Sequence, residues 1–242
     1  MRSSAKSHSS RIVLALDLAG STGLQRRAVN LINDISPSLA AVKMNFHLLL
    51  PLSLKEIAKV NSEAHKKGLQ TIADIKLNDI ASTNEAALNM LWKAGFDAVI
   101  ANPFVGYEGA LDAVFTSARK DNKGVILLVY MSHPAAVQGY GLSIADTKRT
   151  MFEEFVARAV EWKADGVVVG ATQPGKIVIV RKKIPKKMLI FSPGVGAQGG
   201  DAKKSLKAGS DFLIVGRSII ESSDPAQAAK RICRESWLPF SP

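Results

Sequence analysis

Eight apolar, β-like runs recur along this chain at intervals of about 25 to 30 residues, the length of one strand–helix unit. They read Arg11–Asp17, Ala40–Lys43, Gln70–Asp74, Ala98–Ala101, Gly124–Tyr130, Gly166–Gly170, Met188–Ser192 and Asp211–Val215. Between them apolar residues fall at helical spacing, as in Leu54, Ile57, Ala58 and Ala64, or Phe152, Phe155, Val156 and Ala159. A run such as Val125-Ile126-Leu127-Leu128-Val129 shows no polar alternation, which suits a parallel strand covered on both faces. Eight strands alternating with helices predict an α/β fold, a (β/α)8 TIM barrel, in a single domain. The open doubly wound sheet is the alternative, because periodicity does not report closure. Residues 11–242 would form the barrel, and the Ser-rich, basic stretch 1–10 a disordered tail.

At 242 residues the chain is long enough for a sizeable core, and 47% hydrophobic with 22% charged residues suits a soluble globular enzyme. The net charge of +11 would permit an anionic partner. The basic residues are scattered without interleaved aromatics, so a small anionic substrate is expected rather than nucleic acid. Cys233 is the sole cysteine, which excludes an intrachain disulfide and a cysteine metal cluster. His8, His47 and His65 lack ligand-like spacing with carboxylates and His133, beside Pro134, reads as structural, so no metal is expected. No apolar run could span a bilayer and residues 1–10 lack a secretory h-region; no membrane association and a cytoplasmic location are expected.

In a barrel of this kind, function sits at strand C-terminal ends. The polar residues fall there: Asp17, Lys43, Asp74 with Lys76, Asn102, Ser132, the Ser192-Pro193-Gly194 run and Gly216-Arg217. Residues two apart on a strand share a face, so Asp74 and Lys76 should project side by side, with Asp79 just beyond. Charges this close are costly unless water or a ligand meets them, so a site is the economical explanation and a structural ion pair at the barrel mouth the alternative. Neighbouring carboxylates favour the ammonium form, making Lys76 a proton donor, and Lys43 on the next strand extends the alternation of charge. Thr83 should lie one helical turn beyond Asp79. The glycines of Pro193-Gly194-Val195-Gly196-Ala197-Gln198-Gly199-Gly200 free the backbone to approach a ligand, and Asp201 is placed to cap the next helix. Gly216-Arg217 before a short helix matches the recurrent phosphate site after strands seven and eight, where Arg217 adds a charge-assisted contact.

Taken together, Ala15-Leu16-Asp17, Asp74-Ile75-Lys76-Leu77-Asn78-Asp79-Ile80-Ala81-Ser82-Thr83, Met131-Ser132-His133-Pro134, Ser192-Pro193-Gly194-Val195-Gly196-Ala197-Gln198-Gly199-Gly200 and Val215-Gly216-Arg217-Ser218-Ile219 resemble the orotidine 5′-monophosphate decarboxylase family, in its short archaeal and bacterial-type form. The resemblance covers nearly the whole chain. It implies a homodimeric (β/α)8 enzyme that converts orotidine monophosphate to UMP and CO2 in de novo pyrimidine biosynthesis, without metal or organic cofactor. It implies that Asp17 and Lys43 hold the ribose hydroxyls, that Asp74 faces the substrate carboxylate, and that Lys76 protonates C6. Asp79 and Thr83 would reach into the partner subunit's site. Ser132 would contact the pyrimidine edge, Gln198 would bridge pyrimidine and phosphate, and Pro193, Gly194, Gly196, Gly216 and Arg217 would line the substrate site. The chain departs from the family pattern at Met44-Asn45-Phe46, where a Gly-containing turn is usual, and at Asn102-Pro103, where a His is common after strand four. A related hexulose-6-phosphate synthase shares the Asp-x-Lys-x-x-Asp run but calls for a metal-binding acid on strand two, where this chain has Lys43. A non-catalytic phosphate-ligand binder on the same barrel is the reading from a different class.

Overall fold

The computed structural model describes residues 1–20 and 22–237, so residue 21 and the last five residues of the expected barrel span lie outside the description. Eight strands close into a parallel barrel: β1 (Ile12–Ala15), β2 (Ala41–Met44), β3 (Gln70–Leu77), β4 (Ala98–Ala101), β5 (Gly124–Tyr130), β6 (Gly166–Val169), β7 (Leu189–Pro193) and β8 (Phe212–Val215). Their spatial order is β1-β8-β7-β6-β5-β4-β3-β2, the sequential closure of a (β/α)8 barrel and not the crossover order of an open sheet. β1, β2, β6 and β8 are buried at every position, as strands covered on both faces must be.

The intervening helices follow from local signals. Leu54–Lys66 opens on a capping box in which Ser53 and Glu56 satisfy each other's backbone N–H groups, and it buries Ile57, Val60 and Ala64. Met151–Glu161 repeats the device with Thr150 and Glu153. Asp201 caps Ala202–Ala208 by accepting from the Lys204 N–H at 2.8 Å, as its position in the sequence suggests.

The chain falls into two compact units. The first comprises Met1–Ile75, Ala87–Val99 and the segment beginning at Ile214; the second comprises Lys76–Ala86 and Ile100–Leu213. In the second unit the Phe191 and Phe212 rings stack with centroids 5.3 Å apart.

Three local features differ from the sequence reading. The stretch 1–10, expected to be disordered, carries a helix over Arg2–Ser7 with Ser4 and Ala5 buried. Ser4 Oγ reaches Ala40 O at 2.7 Å and Gly68 O at 2.8 Å, so two loop carbonyls outweigh the weak helical tendency of a Ser-rich segment. β3 runs past Asp74 to Leu77, and inside it Lys76 adopts φ +49°. That left-handed turn breaks the two-residue alternation, so spacing alone cannot say which way Lys76 points. Finally, the helix after β3 begins at Ala81, which leaves Asp79 in the connecting loop and not one turn before Thr83 on a shared helix.

Candidate active site

In the first unit, strand register builds a buried charged cluster. β1 pairs Ala15 with Lys43, and β3 pairs Ile72 with Lys43. Asp17 and Asp74 each lie two residues beyond those partners, on the same face as the partner and on either side of the lysine. The long Lys43 stem leans forward between them: its Nζ is 2.9 Å from Asp74 Oδ2 and 3.7 Å from Asp17 Oδ1. Lys43 is 4% exposed and Asp74 7%, so this charge is tolerable only because it is paired. The 3.7 Å separation from Asp17 exceeds hydrogen-bonding distance, and Asp17 Oδ1 is buried without a hydrogen-bond donor. An orphaned carboxylate oxygen beside a fixed ammonium is suited to a ligand hydroxyl, which would supply the missing proton.

Gly216, after β8, lies against the same strand end. A Cβ there would stand 3.2 Å from Ala15 Cβ and 3.9 Å from Asp17 Oδ2, so a side chain would crowd the cluster. Arg217 opens the short helix Arg217–Ile220 and is exposed, with its guanidinium at the surface.

The second unit works through backbone. Pro193 ends β7, its carbonyl accepting from the Ala171 N–H at 2.8 Å. The loop beyond it closes on itself: Gly200 N–H donates to Gly194 O at 3.0 Å and Gly196 N–H to Gly200 O at 2.9 Å. Gly194 sits at φ +93°, and a Cβ on it would lie 2.9 Å from Gln198 Oε1 and 3.0 Å from Ser132 Cβ. Glycine is therefore required there twice, by conformation and by space. The same distances show that Ser132 and Gln198, 66 positions apart in the chain, meet at this turn. Ser192, by contrast, is fully buried with its Oγ 2.6 Å from Ser210 Oγ, a packing role inside the same motif.

Lys76 belongs to this unit and is half-buried at its left-handed backbone position. Such conformations cost about 1–2 kcal/mol for a residue with a Cβ and persist where the surroundings dictate them. Asp79 and Thr83 are exposed; Asp79 Oδ1 accepts from the Ile80 N–H at 2.7 Å. His133 is exposed beside Pro134, and burial pushes the Tyr140 hydroxyl up to about 12, so that ring stays neutral and packs on Tyr130.

Two polar residues with no signal in the sequence reading stand beside these. Thr172 Oγ1 donates to Ser132 O at 2.9 Å, and Asn84, next to Thr83 in the chain, is fully buried with its amide on Asp79 O at 2.6 Å. Among the described residues no group of three or more His, Cys, Asp or Glu side chains could hold a metal ion, and no helix is long and apolar enough to cross a membrane.

Residues 10–232 match the model of the orotidine 5′-phosphate decarboxylase / HUMPS family. The chain is 33% identical over 224 residues to the orotidine 5′-phosphate decarboxylase of Pyrococcus furiosus, covering 93% of this chain and 96% of that protein. It is 35% identical over 225 residues to that of Methanococcoides burtonii, again covering 93% and 96%. Among solved structures, the orotidine 5′-monophosphate decarboxylase of Methanocaldococcus jannaschii complexed with the inhibitor BMP superposes with TM-score 0.79 at 30% identity, over 94% of this chain and 98% of that one. The UMP synthase of Leishmania donovani superposes with TM-score 0.84 at 27% identity, over 97% of this chain and 54% of that one.

Proposed function

The chain belongs to the orotidine 5′-phosphate decarboxylase / HUMPS family, and from that premise we propose that it is a carboxy-lyase converting orotidine 5′-monophosphate to UMP and CO2 in de novo pyrimidine biosynthesis. The observation that carries this choice within the family is Lys43. A hexulose-6-phosphate synthase calls for a metal-binding acid on the second strand, where this chain buries an ammonium 2.9 Å from Asp74.

In this reading Asp17, with its orphaned Oδ1, and Lys43 hold the ribose hydroxyls. Asp74 faces the substrate carboxylate. The bond from C6 to the carboxylate carbon breaks, CO2 departs, and the electron pair stays on C6. The Lys76 ammonium stabilises that charge without reorganising and then gives its proton to C6, forming UMP. Solvent returns the proton to the lysine. Ser132 and Gln198, adjacent at Gly194, engage the pyrimidine edge, and Gln198 reaches on to the phosphate. Arg217 and the backbone at Gly194, Gly196 and Gly216 bind the phosphate, whose binding energy supports loop closure away from the reacting carbon. No cofactor, nucleic acid or membrane enters, and the location is cytoplasmic.

The active species is a homodimer in which Asp79 and Thr83 complete the partner's site. Their exposure supports this, as does the neighbouring Ile80, which is 61% exposed, an apolar surface suited to contact with a second copy.

The test is loss of orotidine monophosphate absorbance with EDTA present. Turnover should be unchanged by the chelator and should fall by about 10²- to 10⁴-fold in Lys76→Ala. Chelator-sensitive turnover would point to the synthase, and near-normal Lys76→Ala activity would remove the proton-donor role.

A further inference from the structure

Asn84 is 0% exposed, yet its side chain is incompletely satisfied. Its Nδ2 donates to Asp79 O at 2.6 Å and to Ala110 O at 3.2 Å, while its Oδ1 is buried with no hydrogen-bond partner. Burying an unpaired amide oxygen costs stability, and an apolar residue of similar size would avoid that cost. The residue is therefore better explained by where its two donors go than by net stabilisation. One reaches the loop that carries Asp79; the other reaches the turn before the helix Asp112–Lys120.

That loop is bracketed on its other side as well. Asn78 Oδ1 accepts from the Val105 N–H at 3.1 Å, and the Asp79 carboxylate itself caps the Ile80 N–H. The exposed Asp79 side chain thus projects from a peptide whose carbonyl is fixed from beneath by a fully buried amide.

We propose that Asn84 is a positioning residue for Asp79: by holding the Asp79 carbonyl it sets the direction in which that carboxylate leaves the surface toward the partner's site. This rests on the reading that Asp79 serves the neighbouring subunit. It adds that the site of one protomer depends on a buried amide of the other. Asn84 touches no substrate, and its effect passes entirely through Asp79.

Two consequences separate this role from a merely structural one. In Asn84→Leu the volume is kept and both donors are lost, and kcat/KM should fall by about a hundredfold, as for a small misplacement of a site group. Because the effect passes through Asp79, the double variant with Asp79→Ala should be no worse than Asp79→Ala alone. The defect should also act in trans. Purified heterodimers of Asn84→Leu with Lys76→Ala pair an intact Lys76 with a well-held Asp79, and should regain about half of wild-type activity, one site in two. Heterodimers of Asn84→Leu with Asp79→Ala should regain none.

If Asn84→Leu instead damages the site of its own subunit, the heterodimer with Asp79→Ala is rescued, that with Lys76→Ala is not, and the double variant is worse than either single one; that overturns the proposal, as does rescue of neither heterodimer or unaltered kcat/KM. Asn84→Ala, carried through the same pairings, replaces the Leu variant if the latter does not fold. Failure of the control heterodimer, Lys76→Ala with Asp79→Ala, overturns sharing of sites itself, and lack of orotidine monophosphate turnover by the wild type overturns the substrate reading; each is distinct from failure of the Asn84 role.

Discussion

The two units hold their polar residues by opposite physical means. In the first, Lys43 and Asp74 are charges withdrawn from water and paired across adjacent strands, with the partly exposed Asp17 3.7 Å from the same ammonium. Their positions are set by strand register, the least flexible feature of a barrel. In the second, the Gly194–Gly200 turn achieves closeness by omitting side chains, and its Gln198 stands exposed between Gly196 and Gly200, whose N–H groups bond within the turn. Burial and pairing make the first region rigid at a high cost of disruption. The second keeps Gln198 on a surface loop, where loss of one residue leaves the packing intact.

The largest effect should follow from breaking the first region. Lys43→Met leaves two carboxylates facing each other with the counter-charge gone, and should destabilise the fold by about 3–5 kcal/mol, read by denaturant unfolding, with activity abolished. An effect under 1 kcal/mol would mean that water penetrates the cluster and that the two regions differ less than their burial indicates. Next, Gly194→Ala forces a Cβ into the contact with Gln198 and Ser132 at φ +93°, and should cost about 1–3 kcal/mol with a raised KM for orotidine monophosphate. If KM is unchanged, the meeting of Ser132 and Gln198 at this turn is not a binding feature.

Lys76 sharpens the comparison, since it carries a charge but owes its conformation to the backbone. Both Lys76→Ala and Lys76→Gly remove the ammonium; the glycine variant should be the more stable by about 1 kcal/mol, reversing the usual order in a strand, because only glycine adopts φ +49° freely. Equal thermal stabilities would show that the backbone relaxes when the side chain is gone. Smallest in stability, Gln198→Ala should change unfolding by less than about 0.5 kcal/mol while raising KM, the pattern of an exposed contact to substrate.

Much of this was legible in the chain itself. The strand–helix alternation placed every barrel strand within a few residues, because burial on both faces leaves a continuous apolar run whose period is local. Asp17 and Lys43 were recognisable as charges at strand ends, and Asp201 as a helix cap, for the same reason: each depends only on near neighbours; Asp74 was read as a strand end, but its strand runs on to Leu77. The helix Arg2–Ser7 was not legible, since its anchors, Ala40 and Gly68, are distant carbonyls. Nor was Asn84, whose partner Ala110 lies 26 residues away.

What the sequence determined by itself was the period of the elements and the residue types delivered to the strand ends. Only the tertiary structure decided that Lys43, by its register between β1 and β3, stands between the two aspartates, and that Lys76 leaves the extended conformation within its own strand. Side-chain alternation is a property of one extended segment. Register, and a left-handed backbone on a residue with a Cβ, are imposed by everything packed around that segment.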